Sequence, residues 1–117
     1  MNNDLNQKNN INNANYIINQ ISENLAKNLS NSVRLKIILC IGEKSKTVTE
    51  IIENCGLSQS AVSQHLSKLK QSDLLKYQKK GRKVTYSLKY PKLLSISKDI
   101  LSLQKEVAEN AIIKIYE

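Results

Sequence analysis

Residues 57–70, Leu-Ser-Gln-Ser-Ala-Val-Ser-Gln-His-Leu-Ser-Lys-Leu-Lys, leave this chain few ways to fold. Ser58 suits the position before a helix, where its hydroxyl accepts a bond from a backbone N–H that the first turn leaves unpaired. Val62, Leu66 and Leu69 then fall at i, i+4 and i+7, a single apolar stripe that must be buried. The opposite face carries Gln59, Ser60, Ser63, Gln64 and Ser67. A merely solvated helix face is rich in Lys and Glu, whereas uncharged Ser and Gln are suited to hydrogen-bonding base edges. Upstream, Glu50 to Asn54 reads as a short helix and Cys55-Gly56-Leu57 as the tight turn after it. The spacing predicts a helix-turn-helix with residues 58–71 as its recognition helix.

Charge points the same way. The chain of 117 residues carries a formal charge of +8, and its placement is uneven. Residues 58–90 hold eight basic side chains against Asp73 alone, while residues 1–30 and 91–117 are each balanced. An excess confined to the recognition helix and the segment behind it is the electrostatic footprint of a nucleic-acid-binding face. That segment reads as a hairpin: Leu74 to Lys79 and Lys83 to Leu88 alternate with period two, and Lys80-Gly81-Arg82 supplies the turn. Lys79, Lys80, Arg82 and Lys83 gather at its tip without an acid among them, which a solvated hairpin tip explains poorly. Helix-turn-helix plus basic hairpin gives a mainly α fold with a small β-hairpin, a winged helix-turn-helix. Gln59, Ser60, Ser63, Gln64, His65, Ser67, Lys68, Lys80, Arg82 and Lys83 are the candidate DNA-binding residues.

Flanking segments supply the packing. Residues 1–15 include eight Asn, and residues 1–10 are expected to be a disordered tail ahead of a domain over 11–117. Ala14, Ile17, Ile18, Ile21, Leu25 and Leu29 form the stripe of a first helix. Ser30 or Ser32 is expected to cap a second, Val33 to about Ile41, apolar nearly all round and ended by Gly42. Thr47 and Val48 suggest a brief edge strand, with Thr49 as cap of the helix that follows. Pro91 fits the first turn of a last helix, in which Leu93, Ile96, Ile100, Leu103, Val107, Ala111 and Ile115 repeat at spacings of three and four. Two stripes without another partner predict a homodimer through the first and last helices.

No run of about 18 apolar residues is present, and the N-terminus lacks the apolar stretch of a secretory signal, so a cytoplasmic place is expected. Two Cys do not make a disulfide framework, and a reducing compartment is the default. A Gly-rich phosphate loop, a metal constellation and a supported nucleophile set are all missing, so no enzyme and no cofactor is expected. A protein-interaction module docking an acidic partner is the competing reading. Salt-dependent duplex binding separates the two.

Three segments resemble the ArsR/SmtB family of small dimeric bacterial repressors: Leu29-Ser30-Asn31-Ser32-Val33-Arg34-Leu35, Gly56 through Leu66, and Gly81-Arg82-Lys83-Val84-Thr85-Tyr86-Ser87-Leu88. The resemblance covers roughly residues 12–115 and implies an operator-binding homodimer whose DNA affinity is usually lowered by a ligand or a chemical change. The family's metal sites do not carry over. Thr47-Val48-Thr49 stands where arsenic- and cadmium-sensing members have Cys-x-Cys, and His65 is the single His, so the zinc and nickel sites cannot be assembled and no metal is expected. Asp73 stands where the family often has Gly, a place that calls for a left-handed residue. Arg34 to Cys40 is similar to the sulfide- and redox-responsive branch related to the biofilm-growth and haemolysin regulators, which makes Cys40 a possible thiol sensor. That branch pairs it with a Cys in the last helix, and none is present here. Burial predicts that Cys40 stays a thiol, slow to oxidise, with Cys55 structural. Should oxidation matter, a Cys40–Cys55 bridge, an intersubunit bridge and one-thiol modification all remain open.

Overall fold

A computed structural model describes residues 2–117. In chain order the elements are α1 (Asn2–Leu29), α2 (Ser32–Ile41), β1 (Lys46–Thr47), α3 (Val48–Cys55), α4 (Gln59–Gln71), β2 (Leu75–Lys80), β3 (Lys83–Leu88) and α5 (Lys92–Tyr116). The architecture is a winged helix-turn-helix, as the sequence pattern predicts.

Helix α2 lies at the centre, in contact with α1, α3, α4, α5 and β3. Its apolar residues point in several directions because it has neighbours in several directions; Leu35, Ile37, Ile38 and Ile41 are wholly buried. Ile51 of α3, Val62, Leu66 and Leu69 of α4, Leu74 and Leu75 at the start of the wing, and Leu93 of α5 complete the core with α2's Ile37, Ile38 and Ile41.

The helix ends show how local chemistry fixes the boundaries. Asn31, rather than Ser30 or Ser32, caps α2: its side chain accepts from the backbone N–H of Val33 and of Arg34. Thr47, rather than Thr49, caps α3. It forms a reciprocal box with Glu50 at the third position, and this draws the helix start back to Val48. Gly42, Gly56 and Asp73 all take positive φ, Asp73 at 60°. Asp73 accommodates that conformation as a short polar residue can, and its carboxylate meets Lys89 Nζ at 2.6 Å.

The wing is a three-stranded antiparallel sheet in the order β1-β3-β2. Lys80 pairs with Lys83 around a Gly81-Arg82 turn, so β2 starts and ends one residue later than the alternation suggests. On one sheet face Tyr77 pairs with Tyr86; on the other Lys76 and Gln78 pair with Ser87 and Thr85.

Two expectations are corrected. Residues 2–10, read as a disordered tail, form the first turns of α1. Once the amphipathic segment behind them is helical, extension adds one hydrogen bond per residue fixed and needs no new nucleus. Residue 1 lies outside the described residues.

The second correction concerns the cysteines. Cys40, expected as a thiol, is joined to Cys55 by a disulfide, their Cα atoms 6.0 Å apart. The last residue of α3 comes back beside the last turn of α2, a return that a separation of 15 positions in sequence does not reveal. Closing a loop of that length stabilises a fold by about 3 kcal/mol. Reduction with a phosphine is therefore expected to lower the urea midpoint of the wild type and leave that of Cys55→Ser unchanged. Equal midpoints for oxidised and reduced wild type would show that the bond adds nothing to stability.

Candidate nucleic-acid interface

Helix α4 presents two chemically distinct faces. Ser58 Oγ accepts from the Ala61 N–H at 3.2 Å, which starts the helix with Val62, Leu66 and Leu69 turned into the core. On the opposite face Gln59, Ser60, Ser63, Gln64, Ser67 and Lys68 are exposed. Ser60 Oγ lies 3.3 Å from Ser58 Oγ, and the side chains of Gln59, Ser63, Gln64 and Ser67 bond no other group among the described residues. An exposed row of unspent amide and hydroxyl groups along about 12 Å of helix is a surface that can exchange hydrogen bonds with a ligand of matching edge pattern.

The cations flank this row. Lys80, Arg82 and Lys83 stand exposed around the wing turn, and none forms an ion pair among the described residues; neither does Lys68. Two basic side chains are committed elsewhere. Lys89 bonds Asp73, which holds its ammonium above the usual lysine range, and it contributes little free charge to the face. Lys70 Nζ sits 4.1 Å from the centroid of the Tyr77 ring, tying the end of α4 to β2. Periodicity gives no sign of this contact, because the two residues lie on different elements of different period. Glu50 sits close enough to feel Lys83 and Lys46, but hydrogen bonds from Thr47 are the main reason its carboxyl is held below the usual value.

His65 is placed differently from the other candidates. Partly buried on the inner flank of α4, it accepts at Nδ1 from Arg34 Nε of α2 at 3.3 Å. Burial, and then the nearby guanidinium, hold its imidazole below the ordinary pKa of 6.5. The ring is therefore neutral at pH 7, with its proton on Nε2. Because the folded value is the lower one, the unfolded chain binds the proton more readily. The His65 contribution to stability is present in full above pH 6.5 and is lost as pH falls through the depressed folded value. Unfolding titrations of wild type between pH 8 and pH 5 are expected to show this acid loss, and His65→Asn to flatten it. Identical pH profiles would assign the loss to carboxylates.

Among the described residues no three His, Cys, Asp or Glu side chains come together as a metal site, and no helix is long and apolar enough to cross a membrane.

Known proteins share this arrangement. Residues 31–77, which span α2 through the start of the wing, match the family described as bacterial regulatory protein, arsR family. The transcriptional repressor PagR of Bacillus anthracis is 37% identical over 81 residues, 68% of this chain and 81% of PagR. Its crystal structure superposes with a TM-score of 0.62 at 35% identity, covering 73% of this chain and 98% of that one. HlyU from Vibrio cholerae superposes with a TM-score of 0.62 at 28% identity, covering 73% of this chain and 92% of its own. A homodimeric winged helix-turn-helix DNA-binding domain from Mycobacterium bovis shares the fold at 19% identity, with a TM-score of 0.66 over 82% of this chain and 89% of that one. With its recognition helix, its basic wing and the extent of these matches, the chain belongs to the arsR family of bacterial regulatory proteins.

Proposed function

We propose that this protein is a sequence-specific transcriptional repressor that binds duplex DNA as a homodimer in the bacterial cytoplasm. The observation that carries the reading is the face of α4: capped, uncharged and unspent, between cations that no acid neutralises. In this reading Gln59, Ser60, Ser63 and Gln64 meet base edges in the major groove, while Ser67, Lys68, Lys80, Arg82 and Lys83 meet phosphates. The repressor PagR supports the regulatory role by likeness.

The dimer follows from what a single chain leaves exposed. Ile17, Ile18 and Ile21 of α1 and Leu103, Val107 and Ile113 of α5 are each more than half exposed, an apolar surface that water disfavours. The homodimeric M. bovis domain supports covering it with a second copy. A two-fold dimer reads an imperfect inverted repeat with half-sites about one helical turn apart.

Selection from random duplexes, followed by titration, tests the proposal. If about four phosphates are neutralised per subunit, log K is expected to fall against log[salt] with a slope near −7. Arg82→Ala, which removes one contact from each subunit, is expected to shallow that slope by about 2 and weaken all sequences alike. A slope near zero would rule out DNA as the ligand of this face and favour an acidic protein partner.

Specificity gives an independent measurement. Gln64→Ala is expected to relax preference at particular base pairs, at about 1–3 kcal/mol for a lost bidentate contact. A selected motif identical to that of wild type, with affinity merely lower, would place Gln64 on phosphate instead.

A further inference from the structure

Behind the exposed face of α4 runs a chain of hydrogen bonds through three helices. Asn28, in the last turn of α1, is 2% exposed, and both ends of its amide are bonded. Its Nδ2 donates to the Asn24 carbonyl and to Ser72 Oγ, each at 2.7 Å, and its Oδ1 accepts from Arg34 Nη1 at 3.2 Å. The same guanidinium donates from Nε to His65 Nδ1 at 3.3 Å. Ser72, the residue that closes α4, donates in turn to the Lys68 carbonyl at 3.1 Å. One end of this network is the helix that exposes the apolar stripe; the other is the recognition helix.

The geometry of the grip is informative. It takes hold of α4 at His65 and again at Ser72, seven residues or two turns apart, on one flank of the helix. The apolar stripe of Val62, Leu66 and Leu69 fixes how closely α4 approaches the core, but aliphatic contacts are non-directional and tolerate rolling. Directional bonds at two points do not. A tilt of about 10° over a helix of ~20 Å moves its far end by about 3 Å. A base-edge hydrogen bond tolerates a few tenths of an ångström. The angle of α4 therefore decides whether Gln59 and Ser60 at its start reach their bases, and Asn28 ties that angle to α1.

We infer that Asn28, Arg34 and His65 are positioning residues, which set the angle of the recognition helix against the dimerisation helix and so the half-site spacing that a dimer accepts. The inference rests on the duplex-binding reading above. It assigns His65 a role through Arg34 rather than through a base, with its Nδ1 spent inward.

The test is a selection among duplexes that carry two copies of the wild-type half-site at varied separation, with each variant held at a temperature where circular dichroism shows it folded. Asn28→Leu keeps the volume and removes every bond of the amide. His65→Leu removes the acceptor, whereas His65→Asn restores it, since Oδ1 of Asn takes the place of Nδ1. Wild type and His65→Asn are expected to choose the same spacing. The two leucine variants are expected to accept neighbouring spacings and to bind the wild-type spacing about tenfold more weakly, with binding to mixed-sequence duplex unchanged. Folded leucine variants with the wild-type spacing preference and affinity would overturn the inference.

Should those variants not fold, Arg34→Lys serves in their place, because an ammonium keeps the charge yet lacks the fork that spans Asn28 and His65. It is expected to broaden the spacing preference, and an unbroadened preference again overturns the inference. A wild type that selects no duplex at all overturns the DNA-binding reading itself.

Discussion

Leu35, Ile37, Ile38 and Ile41 of α2 lie wholly out of water, and α1, α3, α4, α5 and β3 all pack against that helix. A helix leaves the backbone groups of its first and last turns without intrahelical partners, and these must be satisfied locally. Asn31 supplies the donors' partner at the start, and Gly42 turns the chain away at the finish. Those two ends send α1 out along one side and bring β1 and α3 back along another. The result is that α4 meets α2 with its apolar stripe and His65, and leaves its Ser/Gln face outward. The polar chemistry of that outward surface is thus a by-product of how α4 packs on α2.

The electrostatics are equally asymmetric. Charge is concentrated on α4 and the wing, while α1 is neutral overall and α5 nearly so. Two copies meeting through their basic faces would repel, whereas α1 and α5 can approach without that cost. Separation of roles along the chain thus keeps the apolar contact surface and the cationic surface from competing for the same partner.

Much of this was legible in the residues, because its signals are local. Ser58 before a period of 3.6, the alternation of Tyr77 with Leu75, and Gly81 between two basic strands each encode their element within a few positions. The positive φ of Asp73 could also be read from residue type. What escaped the sequence depends on through-space return. Cys40 and Cys55 come together because α3 folds back on α2, and Arg34 reaches His65 across 31 positions of chain. A half-buried Arg34, beside Lys36 in a helix otherwise largely apolar, was the available signal for the second. Such a side chain is kept only where it has something to bond. The caps at Asn31 and Thr47 were misplaced by one or two residues because several Ser, Thr and Asn side chains competed for each position. The reciprocal bond with Glu50 decides for Thr47.

The apolar residues left uncovered on α1 and α5 bear on dosage. If the species that binds DNA is the pair, and if single chains predominate at low abundance, the amount of pair follows the square of the chain concentration. Doubling the chain then raises the pair about fourfold. Occupancy of an operator becomes steeper than a single binding step gives, with no allosteric ligand needed. A repressor acting on its own gene would, with this exposed surface alone, resist drift in its copy number more firmly than a monomeric one.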